Sequence, residues 1–86
     1  MYRVVTKSKT DGTNWQKESD YEFDTKEIAE TIFNTCKKVI STGDYADTYK
    51  SEVIMDTPTA LCYHSTKKSE PTWNGLTRLV YIEEVA

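Results

Sequence analysis

The stretch Phe23-Asp24-Thr25-Lys26-Glu27-Ile28-Ala29-Glu30-Thr31-Ile32-Phe33-Asn34-Thr35-Cys36-Lys37-Lys38-Val39-Ile40 decides the fold. Ile28, Ala29, Ile32, Phe33, Cys36, Val39 and Ile40 recur at steps of three and four, the apolar stripe of an amphipathic helix. Asp24 and Glu27 have the D-x-x-E spacing of a capping box, so Asp24 is the expected N-cap. Phe23 and Ile28 then take the positions of a hydrophobic staple. Lys37 and Lys38 fall in the last turns, where cations favour the helix dipole, and Gly43 offers a left-handed stop. The pattern predicts a helix over residues 25–41.

Strand signals flank it on both sides. Residues 2–9 alternate, with Tyr2, Val4 and Thr6 on one face and Arg3, Val5 and Lys7 on the other. Asp11-Gly12 is a hairpin signal, because glycine accepts positive φ. A second strand is expected over 14–23, with Trp15, Lys17, Ser19, Tyr21 and Phe23 toward the core. Beyond the helix, 44–47 reads as a turn or a short helical turn. Residues 49–55 read as a strand, with a helical alternative from Tyr45, Tyr49 and Val53 at steps of four. Pro58 breaks the chain, 60–66 is a further strand, and 67–75 is a polar loop. Residues 76–85 are apolar on both faces, as a central strand should be. The elements run β-β-α-β-β-β over one domain, 1–86: a two-layer α+β fold with one helix on an antiparallel-rich sheet.

Composition sets the limits of that domain. Leu, Ile, Val and Phe supply only 16 of 86 residues, close to the roughly 20% below which chains tend to stay disordered. A net charge of only −3 and ten aromatic residues argue for folding nonetheless. No apolar run approaches a membrane span of about 18 residues. Met1 to Lys7 lacks the apolar run of an export signal, and Cys36 and Cys62 have no close spacing. Two reduced thiols in a cytoplasmic protein are therefore expected.

Charge is segregated along the chain. Glu18, Asp20, Glu22 and Asp24 alternate, so in a flat strand they project from one face at intervals of about 6.7 Å. Glu27 and Glu30 extend the acidity onto the helix start. Residues 18–30 carry net −5 against −3 for the whole chain. Such a row resembles a row of phosphates and fits the basic groove of a nucleic-acid-binding protein, a nuclease among them. The plainer reading is a solvated strand face whose acids guard an edge. Trp73, in its polar loop, is a candidate contact anchor.

Other constellations are weaker. Tyr45, Tyr49, Tyr63 and His64 can be assembled into an aromatic ligand pocket, or they simply fill a core short of leucine. Cys62 and His64 share one strand face, and Cys36 can be brought near them on paper, but no pair has the usual zinc-ligand spacing. P-loop, GxGxxG, GxSxG and HExxH motifs are absent from the sequence, and there is a single histidine. The expectation is a small non-catalytic binding protein with no cofactor and no metal. Its partner would be a basic protein rather than nucleic acid or a membrane, and the chain itself a monomer or homodimer. By analogy of size and charge, the expected activity is that of the small inhibitors phages and mobile elements use against host defence. The alternatives are a small-ligand-sequestering protein and an assembly module that homodimerises through a strand edge.

Overall fold

A computed structural model of the chain describes residues 1–10, 12–69 and 75–85. Five strands, β1 (Tyr2–Thr10), β2 (Gln16–Phe23), β3 (Tyr49–Asp56), β4 (Ala60–Lys67) and β5 (Leu76–Glu84), form one sheet. The helix α1 (Lys26–Val39) and a short α2 (Gly43–Thr48) lie between β2 and β3. The strand order is β2-β1-β5-β4-β3 and every neighbouring pair is antiparallel. This is the two-layer α+β architecture read from the sequence, with α2 as the short helical turn before the third strand.

The first and last strands therefore meet near the middle of the sheet, and β5 is the central strand that its two apolar faces implied. The helical connection must carry the chain from one edge, β2, to the other, β3. Four inter-strand steps of about 4.8 Å separate those edges, and a helix of 14 residues is about 21 Å long. The helix lies over β2, β1 and β5, and α2 completes the crossing by packing against β3. It buries Ala29 and Phe33 against Val4, Leu61, Tyr63 and Val80, with Cys36 and Ile40 packed at the margin.

Two local readings shift. The N-cap is Thr25, not Asp24: its extended backbone (φ −122°, ψ 152°) and its hydroxyl, which accepts from Ile28 N–H at 3.3 Å, close the first turn. The D-x-x-E box and its staple are thus one residue out of phase. Gly43, with φ +61°, starts α2 instead of ending α1 directly.

Both edge strands carry a bulge. On β2, Thr6 faces Ser19 and Lys7 faces Lys17, which leaves Glu18 as the extra residue. On β3, Val53 faces Tyr63 and Met55 faces Cys62, which leaves Ile54. Bulges twist an edge out of register with any strand that would add to it. The β2 bulge also reverses its start: Ser19, Tyr21 and Phe23 lie on the helix side as predicted. Lys17 turns to the far face, opposite Lys7, and Trp15 is exposed before the strand begins.

Candidate functional site: an acidic end of the sheet

The bulge breaks the carboxylate row. Asp20 and Glu22 lie on the far face of β2, opposite Val5 and Arg3, while Glu18 is turned to the helix side. There Arg78 grips Glu18 through Nε and Nη2, at 2.8 and 3.2 Å, and its Nη1 donates to the Tyr63 hydroxyl at 3.2 Å. Burial alone would lower the Arg78 pKa, but the hydrogen bonds to Glu18 and Tyr63 outweigh it and hold the guanidinium charged well above its ordinary value.

The acids of the far face are also engaged. Arg3 donates from Nη2 to Glu22 at 3.0 Å, and Lys17 donates to Asp20 at 2.9 Å. Arg3 Nε and Asp20 Oδ1 stand 3.0 Å apart, an ion-pair distance, but off the angle of a hydrogen bond, and neither atom has a hydrogen-bond partner among the described residues. The hydrogen bond to Glu22 and the neighbouring carboxylates raise the Arg3 pKa. Asp24 lies beyond the strand, before the N-cap. The ladder of evenly spaced anions expected from residues 18, 20, 22 and 24 is therefore absent: its members face two ways and three of them are bridged by cations.

A different acidic cluster takes its place. The β1–β5 register sets Tyr2 opposite Glu84 and Arg3 opposite Glu83, while β1–β2 sets the same two residues opposite Phe23 and Glu22. Glu22, Asp24 and Glu27 thus share one end of the sheet with Glu83 and Glu84, all exposed. Glu30, half-buried, stands one turn beyond Glu27 and lies 3.8 Å from Lys26. Asp24, Glu27, Glu83 and Glu84 have no ion-pair partner among the described residues. Residues 83 and 84 escaped the sequence reading, because pairing of the first and last strands is not written in either one. Trp73 lies outside the described residues.

The aromatic residues form a cluster, not an enclosure. Tyr45 stacks on Tyr49 with ring centroids 4.7 Å apart and meets Tyr63 edge-on at 6.4 Å. Its hydroxyl shares a 2.7 Å hydrogen bond with the fully buried Ser65, which also bonds Ser51 at 2.9 Å. His64, adjacent to Tyr63, points to the opposite face of the sheet by strand alternation. Tyr45, Tyr49, Tyr63 and His64 therefore do not surround a common space.

The same alternation separates the thiols. Cys36 sits on the helix side, whereas Cys62 and His64 are on the far face, so the sheet stands between them. Among the described residues no three potential ligands converge on one point. Burial raises the pKa of both thiols. A cavity of about 200 Å³ opens between α1 and the sheet from β2 to β4, lined by Glu18, Ser19, Cys36, Val39, Tyr63 and Arg78, among others. That is smaller than the roughly 300–1,000 Å³ of most ligand pockets.

The fold and the acidic end define a two-layer α+β domain with charge concentrated at one pole. No family model, curated protein or solved structure matches the chain. No helix among the described residues is long and apolar enough to cross a membrane.

Proposed function

We propose that this chain is a non-catalytic cytoplasmic binding protein that docks its acidic end on a basic partner protein. The observation that carries this reading is the register that brings Glu83 and Glu84 beside Glu22, Asp24 and Glu27. Four of the carboxylates there, on Asp24, Glu27, Glu83 and Glu84, are left for a partner's cations to neutralise. Electrostatic complementarity of this kind speeds encounter and selects partners by charge. A nucleic-acid-binding protein, a nuclease included, is the partner class whose groove already presents clustered Lys and Arg. The correspondence with nucleic acid is one of charge, since the phosphate-like spacing is lost at the Glu18 bulge. Inhibition of such a partner is the activity this surface suits.

The test is capture from host lysate on immobilised protein, at low salt and at about 0.5 M salt, where charge is screened within a few ångströms. Wild-type protein should retain basic proteins at low salt and release them at high salt. Replacement of Asp24, Glu27, Glu83 and Glu84 by Lys should abolish capture. Retention of the same proteins by that variant would overturn the proposal.

A further inference from the structure

Helix α1 carries two apolar seams. Ala29, Phe33, Cys36 and Ile40 go into the sheet. Ile28, Ile32, Thr35 and Val39, shifted by one residue, occupy an arc of about 60° on one flank of the helix at 100° per residue. That second seam is open: Ile28, Ile32 and Val39 are 47%, 37% and 48% exposed. At its Val39 end this flank opens onto the cavity, which Glu18 and Ser19 of β2 line together with Thr6 of β1 and Arg78 and Val80 of β5. The opposite flank is closed by Lys37, which donates to Asp56 at 2.7 Å and to the Thr57 carbonyl at 3.1 Å.

Tyr21 stands on the helix side of β2 and is 62% exposed, so α1 leaves it uncovered. Because α1 packs against β2, the open seam and Tyr21 border one trough, which meets the cavity beside Cys36 at its Val39 end. Thr31 and Thr35 tie their hydroxyls to the carbonyls of Glu27 and Thr31, at 2.9 Å each. Their hydroxyls are thereby satisfied inside the helix. Large apolar side chains left this exposed in one contiguous strip mark a binding surface more often than chance.

The charge around the trough says what covers it. Its near end is the acidic pole, where Asp24 and Glu27 border the seam without ion-pair partners among the described residues. We infer that the trough between α1 and β2 seats a basic amphipathic helix of the partner, apolar side inward and Lys or Arg side chains reaching the acidic end. From Ile28 to Val39 the trough is about 16 Å long, three turns of helix. The bulge at Glu18 disfavours an added β-strand along the same edge. This inference rests on the acidic end being a docking surface and adds the shape and apolar chemistry of what docks there.

The probe is a synthetic 14-residue peptide with Leu at helical spacing and Lys elsewhere, beside a scrambled peptide of the same composition, followed by fluorescence anisotropy. The helical peptide should bind at least about tenfold more tightly than the scrambled one, a difference that needs only about 1.4 kcal/mol. Ile32→Glu and Tyr21→Ser should each erase that preference, with unchanged circular dichroism showing that both variants remain folded. Equal binding of the two peptides, abolished by Lys at 24, 27, 83 and 84, would overturn the trough while leaving the acidic docking surface standing. Binding that ignores those four charges but is lost in Ile32→Glu would instead remove the charge argument for both. No binding of either peptide, or an Ile32-dependent doubling of mass showing that a second copy fills the trough, would also overturn the inference.

Discussion

Arg78 holds both oxygens of Glu18, a residue 60 positions away in sequence, from the far side of β1. The contact exists because the β2 bulge turns Glu18 out of the row formed by its neighbours and onto the helix side of the sheet. One inserted residue thereby converts a surface acid into a structural one and ties an edge strand to the central strand. The third donor of Arg78 engages Tyr63, whose own pKa is raised chiefly by burial, so the cation also satisfies a phenol in the core.

Removing that cation should therefore destabilise the fold. Hydrogen bonds to charged groups contribute about 1.5–3 kcal/mol when sheltered, and this pair is partly exposed, so Arg78→Met should cost about 1–2 kcal/mol. Glu18→Gln, which keeps one acceptor, should cost less. The double variant should lose less than the sum of the two, since each single change removes the same contact. Urea denaturation measures all three, and strict additivity would show that the pair contributes no coupling.

The helix start offers a sharper test. Thr25, not Asp24, accepts from the Ile28 N–H. Thr25→Ala should cost about 1 kcal/mol, while Asp24→Ala should fall within about 0.5 kcal/mol of the wild type. Thermal or chemical denaturation of the two variants separates them, and the reverse ranking would restore the cap to Asp24.

The same one-residue ambiguity marks what the sequence does and does not reveal. Helix α1 was legible because Ala29, Phe33, Cys36 and Ile40 repeat at the helical period, and periodicity averages over many residues. The cap was not, since Asp24 and Thr25 are both competent acceptors and only backbone geometry chooses between them. The strands were legible from alternation, yet a bulge leaves no compositional mark. Lys17 and Glu18 were therefore assigned to the wrong faces, and the expected row of anions failed at that point. The acidic end was half visible: Glu22, Asp24 and Glu27 are contiguous in the chain. Glu83 and Glu84 joined them only through pairing of β1 with β5, a long-range choice that local pattern does not encode.

Gly75 shows another constraint that local pattern hides. Gly75 closes the stretch that reads as a polar loop, yet it has no positive φ; instead, a Cβ there would fall on the His64 imidazole. Gly75→Ala should destabilise by about 1–3 kcal/mol, the usual range for overpacking. His64→Ala in the same chain should recover most of the loss. Equal loss with and without the imidazole would show that the clash is not its cause. Gly43, at φ +61° in open space, is the contrast: alanine there should cost about 1–2 kcal/mol through backbone strain alone, with nothing for a second substitution to relieve.

The thiols give the chain a pH dependence at its alkaline end. Burial raises the pKa of Cys36 above its ordinary 9.0, against a smaller opposing pull from Arg78, and raises that of Cys62 against the pull of Lys9. A folded-state pKa above the unfolded one means that the native chain holds the proton after the unfolded chain has released it. Stability from this source is fully present below pH 9, falls as pH rises beyond it, and is lost once the folded-state pKa is passed. Urea midpoints should thus decline above pH 9, and Cys36→Ala with Cys62→Ala should flatten part of that decline, Tyr63 accounting for a later portion. Iodoacetamide should label both native thiols more slowly at pH 8 than it labels the urea-unfolded chain, because the thiolate is the reacting form. Labelling of the folded protein at the unfolded rate would show that neither thiol is held protonated by its surroundings.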